Sequence, residues 1–65
     1  MFSKERLKEA REKKGLSQRE LAQLAVISQP AICQFESGKK CPNADTVEIL
    51  ADILGVSMDY LHGRE

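Results

Sequence analysis

Stapling chemistry is nearly absent from this sequence. Cys33 and Cys41 are the only cysteines in 65 residues, and they form no CxxC pair and have no second cluster near them. Domains this short commonly lean on disulfides or metal, but this pattern predicts free thiols in a reducing compartment. His62 is the sole histidine. A closed tetrahedral zinc site takes four ligands, so neither a metal nor another cofactor is expected. Long hydrophobic runs are missing too. None approaches the ~20 residues of a membrane span, and residues 1–12 hold no stretch that could act as a secretory signal. No segment sustains period-two alternation, so strands are not expected. These absences leave a cytoplasmic, all-α chain, read as one domain over residues 1–65 with room for a single modest core. Neither a membrane nor a small-molecule ligand is expected as a partner.

Net charge is also zero, yet its distribution is uneven. Residues 1–40 carry nine Lys/Arg against five Asp/Glu, a balance of +4, and residues 41–65 carry one Arg against five acids, a balance of −4. A basic front and an acidic back let one face meet a polyanion while the other stays clear of it. On charge alone, an ordinary solvated helical surface is the favoured reading.

The sequence does contain clear helix punctuation. Ser3 caps a first helix over about residues 4–14, which Gly15 ends. Ser17-Gln-Arg-Glu20 has the S-x-x-E form of a capping box, predicting a second helix from Gln18 to about Ala25. Ser28 caps a third, with Pro30 in its first turn where a missing N–H costs nothing, and Gly38 ends it. Asn43 caps a fourth that runs to Leu54 and stops at Gly55, and Ser57 opens a last short helix to about Leu61. Apolar spacing agrees: Val47, Leu50, Ala51 and Leu54 fall on one face of the fourth helix. Ile32 and Phe35, Leu21 with Ala22 and Ala25, and Leu7 with Ala10 mark the inner sides of the others. Leu16, Ile27, Val56 and Leu61 sit at junctions, where they can close the ends of the core. Helices two and three are separated by little more than Val26 and Ile27, which forces a steep crossing and the plan of a helix-turn-helix.

With these elements in place, "GLSQRELAQLA", "ISQPAICQFESGKK" and "ADILGVSMDYL", in that order and spacing, resemble the phage-repressor-like (Cro/CI, XRE) helix-turn-helix proteins. The resemblance runs from about Ser3 to Leu61. It rests on the combination of Gln18, Leu21-Ala22, Ser28, Ile32, Glu36-x-Gly38-Lys39 and Leu54-Gly55-Val56. It implies a compact five-helix bundle of the lambda-repressor-like DNA-binding type, with the helix-turn-helix at helices two and three, and operator binding as a homodimer.

Carried onto this chain, the resemblance makes the third helix the recognition helix, with Gln29, Pro30, Cys33 and Gln34 facing DNA bases. It puts Gln18, Arg19, Ser37, Lys39 and Lys40 at backbone phosphates. It also implies an ion pair between Arg11 and Glu36 that ties the first helix to the end of the recognition helix. The chemistry of the residues is compatible: helix N-termini suit phosphate, and an amide side chain can bond adenine N6 and N7 together. Two positions depart from the family pattern. Val26 stands where glycine is usual in the turn, so either the turn takes another shape or Val26 is strained. Cys33 stands where a polar residue is common, which leaves apolar contact as its expected use.

An enzyme is not expected. His62 lies near the C-terminal end with no paired carboxylates, and Ser37-Gly-Lys-Lys40 matches S-x-x-K by letter only. The expected function is transcription regulation, repression by default, on double-stranded DNA. The alternative is a protein-interaction module of the same fold, of antitoxin or regulator-partner type. Ile49, Ile53, Met58 and Tyr60 are surplus apolar residues in the acidic half and are the expected homodimer contact.

Overall fold

The computed structural model describes residues 1–64. Its helices are α1 (Lys4–Lys13), α2 (Gln18–Ala25), α3 (Gln29–Ser37), α4 (Ala44–Leu54) and α5 (Met58–Leu61), with no strand among the described residues. Each begins on a polar side chain that accepts from an otherwise unpaired backbone N–H: Ser3 from Arg6, Ser17 from Glu20, Ser28 from Ala31, Asn43 from Thr46 and Ser57 from Tyr60. At α2 the capping is reciprocal, because the Glu20 carboxylate accepts from the Ser17 backbone N–H at 2.8 Å. Helix α1 stops one residue short of its expected end, with Lys14 as its cap.

The helix ends repeat one device. Leu16, Ile27, Lys39 and Val56 each donate a backbone N–H to the carbonyl five residues back, closing α1, α2, α3 and α4. The residue before each donor is left-handed: Gly15, Val26, Gly38 and Gly55. After three of these turns an apolar residue (Leu16, Ile27 or Val56) drops against the core, the contact that accompanies this type of helix end. After α3 the corresponding residue is Lys39, which is exposed. Val26 resolves the question its sequence position raised. Its φ of 56° and ψ of 45° are left-handed, and it is the one non-glycine with positive φ among the described residues. The turn keeps the shape a glycine would give it, and the valine carries the strain.

The core draws on every helix. Leu7, Leu21, Ile32, Val47, Leu50 and Leu61 are fully buried, each worth roughly 1.5–3 kcal/mol of burial. Ala10, Ala22, Ala25 and Ala51 fill the close approaches between backbones. Helix α5 docks on the start of α1: the Ser3 N–H donates to Leu61 O at 2.7 Å, and Arg6 Nη1 donates to Tyr60 O at 3.1 Å. The Arg6 guanidinium also lies over the Tyr60 ring, 4.8 Å from its centroid. No helix among the described residues is long and apolar enough to cross a membrane.

Candidate nucleic-acid interface

Helix α3 is an element of uneven faces. Ile32 is its one fully buried residue, with Phe35 packed beside it, while Gln29, Pro30 and Cys33 are exposed and Gln34 is half-buried. No described residue hydrogen-bonds the side-chain amide of Gln29 or Gln34, so both keep their donors and acceptors available. Gln29, Pro30 and Cys33 line one shallow, open hollow with Gln18 at the start of α2. The first turn of α3 and the first turn of α2 therefore border the same strip of surface.

The two helix starts differ in what they offer that strip. At α2 the Glu20 N–H is taken by Ser17 Oγ and the Leu21 N–H by Ser17 O, which leaves the N–H groups of Gln18 and Arg19 without a protein partner. At α3 Pro30 has no N–H to give, and the Ala31 N–H is already held by Ser28. The start of α2 is the better anion site, and Arg19, exposed and in no ion pair among the described residues, adds a full charge there. At the other end of α3, Lys39 and Lys40 are exposed and likewise outside any ion pair among the described residues. Ser37, also exposed, donates its hydroxyl to Gln34 O at 3.2 Å and so caps its own helix.

Beneath the strip sits a polar cluster. Arg11 Nε donates to Glu36 Oε2 at 2.6 Å and Arg11 Nη2 to Glu36 Oε1 at 3.1 Å, a two-pronged pair whose side chains are only 11% and 5% exposed. Arg11 Nη1 donates to Leu16 O at 2.8 Å, and Gln18 Nε2 donates to Glu36 Oε1 at 3.1 Å. The hydrogen bonds to Glu36 raise the Arg11 pKa further above its already high ordinary value, against the opposing effect of burial, so the guanidinium is charged at any working pH. One carboxylate thus joins α1, the start of α2 and the end of α3. No buried side-chain polar atom among the described residues lacks a partner.

The Gln18 link was not legible in the sequence. Resemblance put Gln18 at a phosphate, but one of its two amide N–H groups is spent on Glu36, across 18 positions of chain. What Gln18 has left for an anion is its backbone N–H and the second amide hydrogen. The four apolar residues expected at a homodimer contact differ in exposure. Ile53, Met58 and Tyr60 are partly buried against the core, and of that group Ile49 alone is exposed, at 43%. Leu24 and Val26, in the basic half, are more open at 57% and 88%. Exposed apolar surface is therefore not confined to the acidic half. Cys33 and Cys41 are both free and exposed.

Comparison with known proteins places this geometry among relatives. A helix-turn-helix family model, HTH_3, matches residues 7–61. The HTH-type transcriptional regulator ImmR of Bacillus subtilis (strain 168) is 38% identical over 60 residues, which cover 92% of this chain and 47% of that protein. Among solved structures, the P22 c2 repressor in complex with synthetic operator 9T superposes with a TM-score of 0.91 at 29% identity, covering 100% of this chain and 98% of that one. SinR, a master regulator for biofilm formation, in complex with DNA, superposes with a TM-score of 0.86 at 28% identity, covering 91% of this chain and 98% of that one. The chain spans about half the length of the curated relatives it matches.

Proposed function

The chain belongs to the helix-turn-helix HTH_3 family, and on that premise we propose that it is a sequence-specific DNA-binding transcription regulator, a repressor by default, that sets α3 in the major groove. The observation that carries this reading is the pair of unpartnered amides on α3, Gln29 and Gln34, bordered by cations that are themselves unpaired. The superposition on a repressor with its operator and on SinR with DNA supports it. Gln29 and Gln34 read base edges, adenine first, because an amide pairs with adenine N6 and N7 together for roughly 1–3 kcal/mol of discrimination. Pro30 and Cys33 offer apolar contact to a thymine methyl. Arg19, Lys39 and Lys40 meet backbone phosphates, together with Ser37 and the free N–H groups at Gln18 and Arg19.

Size argues for a dimer. The longest dimension of the bundle is 26 Å, whereas half-sites read on one face of B-DNA lie about 34 Å apart. Two copies related by a dyad would cover a pseudo-palindromic operator, with Ile49 at the centre of the contact and Ile53, Met58 and Tyr60 at its margin. A second reading, a protein-interaction module, draws on Leu24 and Val26, whose exposure beside the turn suits a protein partner.

Selection from a random duplex library at two salt concentrations separates these readings. We expect enrichment of paired half-sites and affinity that falls steeply with salt. Lys39→Gln should then weaken all duplexes about equally, while Gln34→Ala relaxes preference at one position in each half-site. Enrichment of nothing favours the interaction module, single unpaired half-sites remove the dimer, and an unchanged preference in Gln34→Ala removes the base-reading assignment.

A further inference from the structure

We propose that Lys4, the first residue of α1, is a further phosphate-contacting residue that works with the loop after α3. The proposal rests on the DNA-binding reading and extends it to an element outside the helix-turn-helix. A Cβ built on Gly38 would lie 3.2 Å from Lys4 Cδ, 3.3 Å from Nζ and 3.7 Å from Cε. The lysine side chain therefore runs lengthwise across the glycine, in a groove that a side chain at position 38 would crowd. Gly38 thus serves twice, as the left-handed stop of α3 and as the bare surface over which Lys4 reaches.

Lys4 and Lys40 border one groove together with Phe2, Glu5, Phe35 and Cys41, although 35 residues of chain separate the two lysines. Aromatic and apolar atoms can cover the lysine stems while the ammonium groups stay in water. Neither of these lysines nor Lys39 is in an ion pair among the described residues. The nearest acid in the chain, Glu5, accepts instead from the Ser3 hydroxyl at 3.5 Å. Three cations thus gather around the exit of α3, and Glu5, the one acid that borders the groove, is in ion pair with none of them. Their mutual repulsion is relieved by an anion, and the anion that runs past this end of a groove-bound α3 is the duplex backbone.

The test is the salt dependence of binding by Lys4→Gln, measured by fluorescence anisotropy on the selected duplex and on a scrambled one. Lys14→Gln is the control, because Lys14 is equally cationic but lies beside Gly55 at the α4 end, 3.7 Å from its Cβ position. Losing one phosphate contact should lower the slope of log K against log salt by about 0.9. The penalty for Lys4→Gln should therefore shrink about 3.5-fold between 50 and 200 mM salt. The effect should be the same on both duplexes, with base preference intact. An unchanged slope in Lys4→Gln, or an equal fall in Lys14→Gln, overturns the assignment while leaving DNA binding in place. If the unsubstituted protein binds no duplex, the DNA reading is overturned and the Lys4 assignment with it.

Discussion

Around α3 the chain is joined by polar groups as well as by hydrocarbon, whereas around α4 it is joined by hydrocarbon. Arg11, Glu36 and Gln18 bring α1, α3 and α2 to one carboxylate. Helix α4 instead buries Val47, Leu50, Ala51 and Leu54 along one face. The difference follows from how much each helix buries. Four buried residues along a stripe fix both the position and the roll of α4. Helix α3 buries only Ile32 fully, with Phe35 partly buried against the core, and so short a stripe fixes rotation about the helix axis less firmly than in α4. A two-pronged guanidinium–carboxylate pair has a preferred plane and direction, which hydrocarbon packing lacks. The helix proposed to read bases is thus the one whose orientation is set by charge. Packing in this molecule supplies stability, and the polar cluster supplies aim.

That division can be broken at its strongest point. Glu36→Ala removes the acceptor for three donors and strands the Arg11 guanidinium in a nearly closed site, at a cost of roughly 3–5 kcal/mol. Leu50→Ala should cost a comparable 2–5 kcal/mol by opening a cavity. Urea denaturation will place both losses. The double substitution Arg11→Met with Glu36→Leu separates the roles. A buried ion pair exchanged for hydrocarbon of similar volume is often neutral or stabilising. We expect most of the stability to return while base preference on the selected operator stays blurred. Full recovery of both would mean that packing alone aims α3, and the comparison would fail.

The apolar half was the more legible in the sequence. Period, capping residues and glycine stops locate every helix, because each of those signals acts over a few residues of chain. All five cap residues expected from the sequence act as caps. The polar half was legible only where family resemblance spoke. Arg11 and Glu36 are 25 positions apart, and no local signal pairs them. The Gln18 bond to Glu36 and the run of Lys4 across Gly38 escaped for the same reason. Both depend on how helices already packed by the core happen to meet. Leu24 and Val26 stand open because they lie at the end of a short helix whose buried side is already filled by Leu21, Ala22 and Ala25.

Val26 sharpens the comparison at middle strength. Gly15, Gly38 and Gly55 occupy the corresponding place at the ends of α1, α3 and α4. A non-glycine residue held left-handed costs of order 1–3 kcal/mol. Glycine gives back roughly 0.5–1 kcal/mol through the freedom it gains when unfolded. Val26→Gly should therefore stabilise the protein by about 1 kcal/mol, read as a higher urea midpoint. Because Val26 is 88% exposed, little packing is lost in the exchange. A stabilised variant that also binds its operator normally would make the valine dispensable to DNA reading. Stabilisation together with lost activity in the cell would assign it to a partner surface.

The smallest effect is expected at the start of α2, where the half around α2 and α3 uses a carboxylate in the open. The Ser17 backbone N–H, and after it the Ser17 hydroxyl, hold the Glu20 pKa below its ordinary 4.5, with little opposition from burial. A carboxylate whose pKa is lower folded than unfolded favours the fold above the unfolded value. It gives up that contribution as pH falls through the folded one. Glu20 should therefore help hold α2 at neutral pH and release it below about pH 4.5. Arg11 is linked in the opposite sense, since its raised pKa withdraws stability only as pH climbs past its ordinary value, far beyond working conditions. Glu20→Gln keeps a side-chain oxygen that can accept the Ser17 N–H, so it preserves the capping box and deletes only the titration. Its melting temperature should stay close to the parent's at pH 7 and fall less steeply than the parent's between pH 5 and pH 3. Parallel profiles for the two proteins would show that this cap is held by hydrogen-bond geometry alone, and that charge orders the half around α2 and α3 only at Arg11 and Glu36.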